Sequence, residues 1–222
     1  MAHHGIRDLY TIDLVCHGVP SPKLFKKYID YLKEKRPNFH SFNFRNLKGW
    51  NCNSSSSSRN PRTGEITTEV LYGYDMAYFA LFINSYINRE CCYKCQYAHS
   101  KHRIGDITLA DFWGIGQAAP YNHDKAYGIS FVSTNTPKGI YLFKEIQEDI
   151  EYEERDVRET IELGGNTQLE HPAIRPKERD DIYKNAFNNN WVNFIRSYNL
   201  PLKEKKSVTN KVINKVKKIF HL

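Results

Sequence analysis

The sequence predicts an α/β (or α+β) chain: a mixed β-sheet flanked by helices, with a basic amphipathic helix at its C-terminal end. Three observations carry this expectation. Short apolar or alternating runs of strand length alternate with stretches that repeat apolar residues at helical spacing. Glycine and proline clusters punctuate the junctions between them. The 222 residues are 40% hydrophobic, 14% aromatic and 26% charged, which is enough to bury a core. We find no internal repeat.

The elements follow in order. Residues 1–8, opening Met1-Ala-His-His4, read as a cloning remnant and leader. Residues 9–200 read as the folded body and 201–222 as a basic tail. Residues 9–15 (LYTIDLV) read as a buried strand, stopped by Gly18, Pro20 and Pro22. Ser21 is placed to N-cap a helix with Pro22 in its first turn. Leu24, Phe25, Tyr28, Ile29 and Leu32 then repeat at helical spacing to about residue 35. Residues 39–44 (FHSFNF) alternate as a strand does. Residues 54–58 are five serines, read as a flexible loop or a polar edge strand. Residues 66–72 alternate again and pair with them across Pro61-Arg-Thr-Gly64. Residues 75–87 are aromatic-rich and read as a buried helix that delivers the chain to the cysteines.

Further strands are expected over 107–112 and 128–132, with a polar loop over 120–126 between them. A helix is expected from Lys138-Gly139 to about Glu148. Residues 151–162 are acidic and partly helical, and 164–167 form a loop. A last helix of the body spans 179–198, with Tyr183, Phe187, Trp191 and Phe194 on one face.

Charge and cysteine usage narrow the function classes. The formal charge is +7, but residues 203–222 hold seven lysines against one glutamate, so the body is nearly neutral. A basic nucleic-acid-binding face is therefore not expected. In the tail Val208, Val212, Val216, Ile219 and Phe220 follow helical spacing among the lysines. This pattern suits an anionic membrane surface or a docking partner, or else a solvated end. No apolar run approaches the roughly 20 residues of a membrane span. No secretory signal is visible. The five cysteines are odd in number and clustered, which argues for thiol or metal chemistry in a reducing cytoplasm rather than a disulfide framework.

Cys92 and Cys95 form a Cys-x2-Cys pair, which presents two thiolates to one metal from one turn of backbone. A closed zinc site would recruit His99, His102, Cys16 or Cys52 to complete four ligands. An iron–sulfur cluster would take Cys16 as a third ligand and a fourth from Cys52, Cys91 or a missing segment. Metal-free thiols are the third alternative. Cys16-His17 could also pair a nucleophile with a base, although a small buried residue at a strand end explains Cys16 equally well. Asp106, Thr108 and Asp111 punctuate the strand that ends at Gly114. They suit a cation, the hydroxyls of a cofactor, or simply one polar strand face. Trp113 could stack on a flavin or pack in the core. The helix start at Asn135-Thr-Pro-Lys-Gly139 could take a phosphate or merely be capped. No residue stands out as a proton donor, and no catalytic acid or base is assigned.

Four motifs occur in order: Asp13-Leu-Val-Cys-His-Gly-Val-Pro-Ser21, Cys92-Tyr-Lys-Cys-Gln-Tyr-Ala98, Gly105-Asp-Ile-Thr-Leu-Ala-Asp-Phe-Trp-Gly114 and Gly128-Ile-Ser-Phe-Val-Ser-Thr-Asn-Thr-Pro-Lys-Gly139. Together, over about residues 10–197, they resemble the C-terminal domain of the coenzyme F420 hydrogenase/dehydrogenase beta subunit family. The Cys-His-Gly-Val-Pro-Ser motif resembles a bacterial subgroup associated with polysaccharide biosynthesis. The resemblance implies an iron–sulfur flavoprotein that relays electrons between a hydride carrier or substrate and a redox partner protein. It implies a 4Fe-4S cluster near Cys16, Cys92 and Cys95. It also implies an FAD pocket lined by Gly105, Asp106, Asp111, Trp113 and Gly114. Ala110 stands where the family usually has glycine. The family's ferredoxin-like N-terminal module is absent from this chain. A cluster ligand and part of the flavin pocket are therefore expected outside it, and the chain alone is expected to be inactive. The alternative is a non-enzymatic scaffold domain of a surface-polysaccharide pathway, with structural or zinc-binding cysteines. A cytoplasmic location is expected, peripheral to the inner membrane face through the tail.

Overall fold

A computed structural model describes residues 9–45, 49–50, 52–98, 103–198, 200 and 202. The expected mixed α/β content is present, arranged in two compact units, each drawn from three stretches of chain. Unit 1 takes residues 1–20, 48–50 and 87–177. Unit 2 takes 21–47, 51–86 and 178–222. The tail expected as a basic amphipathic helix (203–222) lies outside the described residues, as do His99 and His102. Among the described residues, no helix is long and apolar enough to cross a membrane.

Unit 1 is built on a three-stranded mixed sheet. β1 (Ile12–Leu14) runs parallel to β5 (Ile107–Asp111), which pairs antiparallel with β6 (Ser130–Thr134). One face carries Val15, Ala110 and Phe131 into a cluster with Phe112, Ile115, Ile161 and Leu169. The strand expected over 9–15 is shorter and not buried: Ile12 and Leu14 are 57% and 67% exposed. The physical reason is parity. β1 lies at the sheet edge, and positions 12 and 14 point away from the face that packs Val15. α3 (Pro137–Ile146) follows β6, with Thr136 as its N-cap. The acidic stretch turns helical only at its end, as a π-helix over Glu159–Leu163.

Unit 2 pairs an antiparallel sheet with helices. α1 (Pro22–Lys35) matches the expected span. Leu24, Tyr28 and Leu32 recur every fourth residue on one stripe and are fully buried. Ser21 stands at the N-cap position without a side-chain capping bond. The strands β2 (Phe39–Asn43), β3 (Ser55–Arg59) and β4 (Ile66–Val70) lie in that order. The serine run is therefore the central strand, neither a flexible loop nor an edge. Its side chains are small enough for close packing, and Ser54 to Ser57 are buried. Ser57 Oγ lies 2.6 Å from Ser41 Oγ across the sheet, which satisfies both hydroxyls.

The helix expected over 75–87 is a 3-10 turn at Gly73–Met76 leading into α2 (Ala77–Ile83). It stops early because Ser85 takes a left-handed conformation, φ 57°, and Asn84 Nδ2 caps the Ala80 carbonyl at 2.8 Å. The expected 179–198 helix is two: α4 (Arg179–Asn188) and α5 (Trp191–Arg196). Asn189 is extended. The Asn190 side chain accepts the Asn193 N–H and starts a new helix, so a cap overrides the apolar periodicity. Phe187, expected on one face with Trp191 and Phe194, is exposed, whereas those two are buried.

An aromatic cluster fills the centre of this unit. Tyr28 stacks on Tyr78 at 5.1 Å, meets Phe42 edge-on at 5.4 Å and lies 5.0 Å from Trp191. Beside it the buried Asp75 carboxylate accepts from Tyr31 Oη at 2.5 Å, Lys35 Nζ at 2.7 Å and Arg36 Nη2 at 2.6 Å. Arg36 also bonds Glu69. Burial alone would raise the Asp75 pKa, but the bonds from Lys35, Tyr31 and Arg36 hold it below the usual carboxylate value.

Candidate functional site

The cysteines of unit 1 sit where two loops meet. Asn88 is fully buried; its Nδ2 donates to the His17 carbonyl at 3.1 Å. The Arg89 N–H bonds the Val19 carbonyl at 2.9 Å, and Pro20 and Asn88 form an isolated antiparallel bridge. Gly18, at φ +137°, has the Asn88 side chain where a Cβ would be, so only glycine lets the loops close. The chain then turns through a 3-10 helix at Glu90–Lys94, which carries Cys91 and Cys92. Arg175 braces it through an ion pair to Glu90 at 2.9 Å and lies over the Tyr93 ring. Cys92 Sγ accepts the Val19 N–H at 3.3 Å, so its thiol rests on the loop that begins at Cys16. Burial pushes the Cys92 thiol pKa up, against a smaller lowering by that N–H.

All five cysteines are free thiols; Cys16 and Cys91 are exposed, and Cys52, Cys92 and Cys95 half-buried. Cys52 belongs to unit 2, the other four to unit 1. Among the described residues, no three His, Cys, Asp or Glu side chains are grouped to hold a metal ion.

The residues proposed from sequence to line a flavin lie at the two ends of β5, a five-residue strand that spans about 17 Å. At its start, Asp106 Oδ2 accepts from the Thr11 N–H and hydroxyl at 2.8 Å each, and Oδ1 from the Thr136 hydroxyl at 2.5 Å. These bonds, that of Thr136 foremost, hold its carboxyl below the usual range. Thr136 Oγ1 in turn accepts the Gly139 N–H at 3.2 Å. That bond caps α3 from within, at the helix start where sequence allowed a phosphate. Gly105 is packed so closely that a Cβ would lie 2.8 Å from the Asp13 nitrogen and the Ile107 carbonyl oxygen.

At the other end, the Asp111 carbonyl accepts from Asn166 Nδ2 at 2.8 Å. Trp113 stacks on Trp50, 4.5 Å between centroids and 17° between planes. Gly114, φ +86°, abuts the backbone of Leu163 and Gly164 at the end of the π-helix. The buried Glu159 of that helix accepts the Gly116 N–H at 3.0 Å. Arg155 holds the adjoining loop through the Pro120 carbonyl at 2.7 Å.

The family model for the C terminus of the coenzyme F420 hydrogenase/dehydrogenase beta subunit matches residues 2–160. The chain belongs to this family. The match takes in Cys16, Cys92 and Cys95 and the whole of β5 with its flanks, and it ends at the π-helix. The protein is thus oxidoreductase-like in kind. No curated protein and no solved structure matches it.

Sequence reasoning did not pick out Asn88, Arg103 or Glu159. Each has a buried polar side chain with at least one partner far along the chain, His17 for Asn88, Leu14 for Arg103 and Gly116 for Glu159, which no local spacing signals.

Proposed function

We propose that this chain is the C-terminal domain of an iron–sulfur flavoprotein oxidoreductase that relays electrons between a hydride carrier or substrate and a redox partner protein. The observation that carries the reading is the Cys92 thiol resting on the loop that begins at Cys16, in a chain of hydrogenase/dehydrogenase beta-subunit type. A 4Fe-4S cluster and FAD would supply the one- and two-electron chemistry. Three soft thiolates are the right donor class. They do not form a closed set among the described residues, and such a cluster takes four ligands as a rule. The described residues therefore do not fit a complete cluster site, and we derive no step through one. Nor do Asp106, Trp113 and Gly114 present free groups in one flavin pocket. In this reading the chain's own part is to hold the thiol-bearing loops together. A ferredoxin-like N-terminal module would supply the remaining ligand and flavin contacts. The protein would work in the cytoplasm, with the basic tail against an anionic inner membrane face and no nucleic acid involved.

A second reading is favoured by the internal engagement of Asp106, Trp113 and Gly114. It is a non-enzymatic scaffold domain of a surface-polysaccharide pathway, with structural or zinc-binding cysteines. Anaerobic reconstitution of the full polypeptide with iron, sulfide and FAD separates the two. Bound iron and sulfide that are lost in C92S and C95S, together with a flavin spectrum, support the redox reading. Zinc retained instead, or no metal and no flavin, overturns it.

A further inference from the structure

The guanidinium of Arg103 joins the two cysteine-bearing segments of unit 1. Its side chain is only 6% exposed. Nη1 donates to the Tyr97 carbonyl at 3.0 Å, and Nη2 to the Leu14 carbonyl at 3.4 Å. Nη2 also lies 2.9 Å from Asp13 Oδ1, an ion pair without hydrogen-bond alignment. Nε donates to Thr108 Oγ1 at 3.1 Å, and Asn135 Nδ2 bonds the same oxygen at 2.8 Å. Leu14 lies two residues before Cys16, and Tyr97 two residues after Cys95. Two residues of extended chain reach at most about 7 Å. One rigid group therefore fixes both approaches to the thiols, and β5 anchors it through Thr108.

Burying a guanidinium costs desolvation, and a brace between two strands alone would not require it. A planar fork that donates in three directions is what this junction uses. Lysine, a point charge on a flexible stem, cannot reproduce it.

We propose that Arg103 is a positioning residue of the cysteine site, setting the separation of Cys16 from Cys95. This rests on the reading that these thiols form the working site. Its test involves no iron or flavin, so either idea can fail without the other.

In a C52S/C91S/C92S background Cys16 and Cys95 are the only thiols left. A short bis-maleimide then links them, and peptide mass spectrometry gives the yield. Monofunctional maleimide rates report accessibility, and circular dichroism reports the fold. Arg103→Gln and Arg103→Lys should each lower the cross-link yield by about tenfold, with single-thiol rates and fold unchanged, because effective molarity depends steeply on geometry. Thr108→Val keeps the charge and the Asp13 pair but removes the Nε acceptor, and should lower the yield by about threefold. Folded Arg103 variants that cross-link like the background overturn the proposal. If neither Arg103 variant folds, Thr108→Val decides, and background-level yield there overturns it equally.

Discussion

Trp113 stacks on Trp50, with ring centroids 4.5 Å apart. The tryptophan that sequence offered to a flavin thus has one face taken by a residue 63 positions earlier. Trp50 itself lies against Gly128 and bonds the Ala126 carbonyl through its backbone N–H. We expect Trp50→Ala to lower stability by about 2 kcal/mol, and Trp50→Phe by less than half of that. Urea unfolding followed by fluorescence measures both. A loss below about 0.5 kcal/mol in Trp50→Ala would show that the stack contributes little.

Asp75 should contribute to the acid sensitivity of unit 2. Its folded pKa lies below the unfolded value of 3.8. The stability it contributes is therefore fully present above that value and is lost as pH falls through the folded pKa. Asp75→Asn, which leaves Arg36 and Lys35 without their buried carboxylate, should cost about 3 kcal/mol at neutral pH. It should also flatten the acid limb of a melting-temperature profile below the ordinary carboxylate value of 3.8. An unchanged acid limb in the variant would assign that limb to other carboxylates.

Gly114→Ala should destabilise by at least about 2 kcal/mol, since it combines a φ of +86° with a Cβ 2.8 Å from the Leu163 and Gly164 backbone. Gly105→Ala meets the Asp13 nitrogen and the Ile107 carbonyl oxygen at the same 2.8 Å without the positive φ. It should cost less, by shifting β1 relative to β5. Denaturant midpoints at constant m-value test the ranking, and the reverse order would locate the crowding at the strand start instead.

How much of this was legible in sequence depended on whether the determinant was local. The stripe Leu24, Tyr28, Leu32 announces α1, and Pro61-Arg-Thr-Gly64 announces the β3–β4 hairpin. The serine run reads as a loop or an edge strand paired with residues 66–72, and only its place in the middle of the sheet is illegible, because neighbours on both sides set it. The break at Asn190 hides inside a continuous apolar periodicity. For the site, the Cys92–Cys95 spacing stood out, whereas Arg103 draws on Asp13, Leu14, Tyr97 and Thr108 and leaves no local trace.

The tail remains a proposal of charge pattern. Truncation after Pro201 should abolish co-sedimentation with anionic liposomes at low salt, with each lysine near the surface worth about 1 kcal/mol. Binding by the intact protein should fade as salt rises. Equal binding with and without residues 203–222 would reduce the tail to a solvated end.

The packing of Tyr28 against Trp191 sets a timetable for biosynthesis. The two residues are 163 positions apart. At about 5–20 residues per second, roughly 8–30 s of translation separate their emergence from the ribosome. Once residue 78 is made, the rings of Tyr28, Phe42 and Tyr78 lack the indole that covers them for a further 113 residues. Unit 2 is completed only after all of unit 1 has been made, since residues 178–222 follow residue 177. The nascent chain thus offers chaperones a long-lived aromatic surface. Its yield in a cell should respond to translation speed and chaperone supply more than its finished packing would suggest.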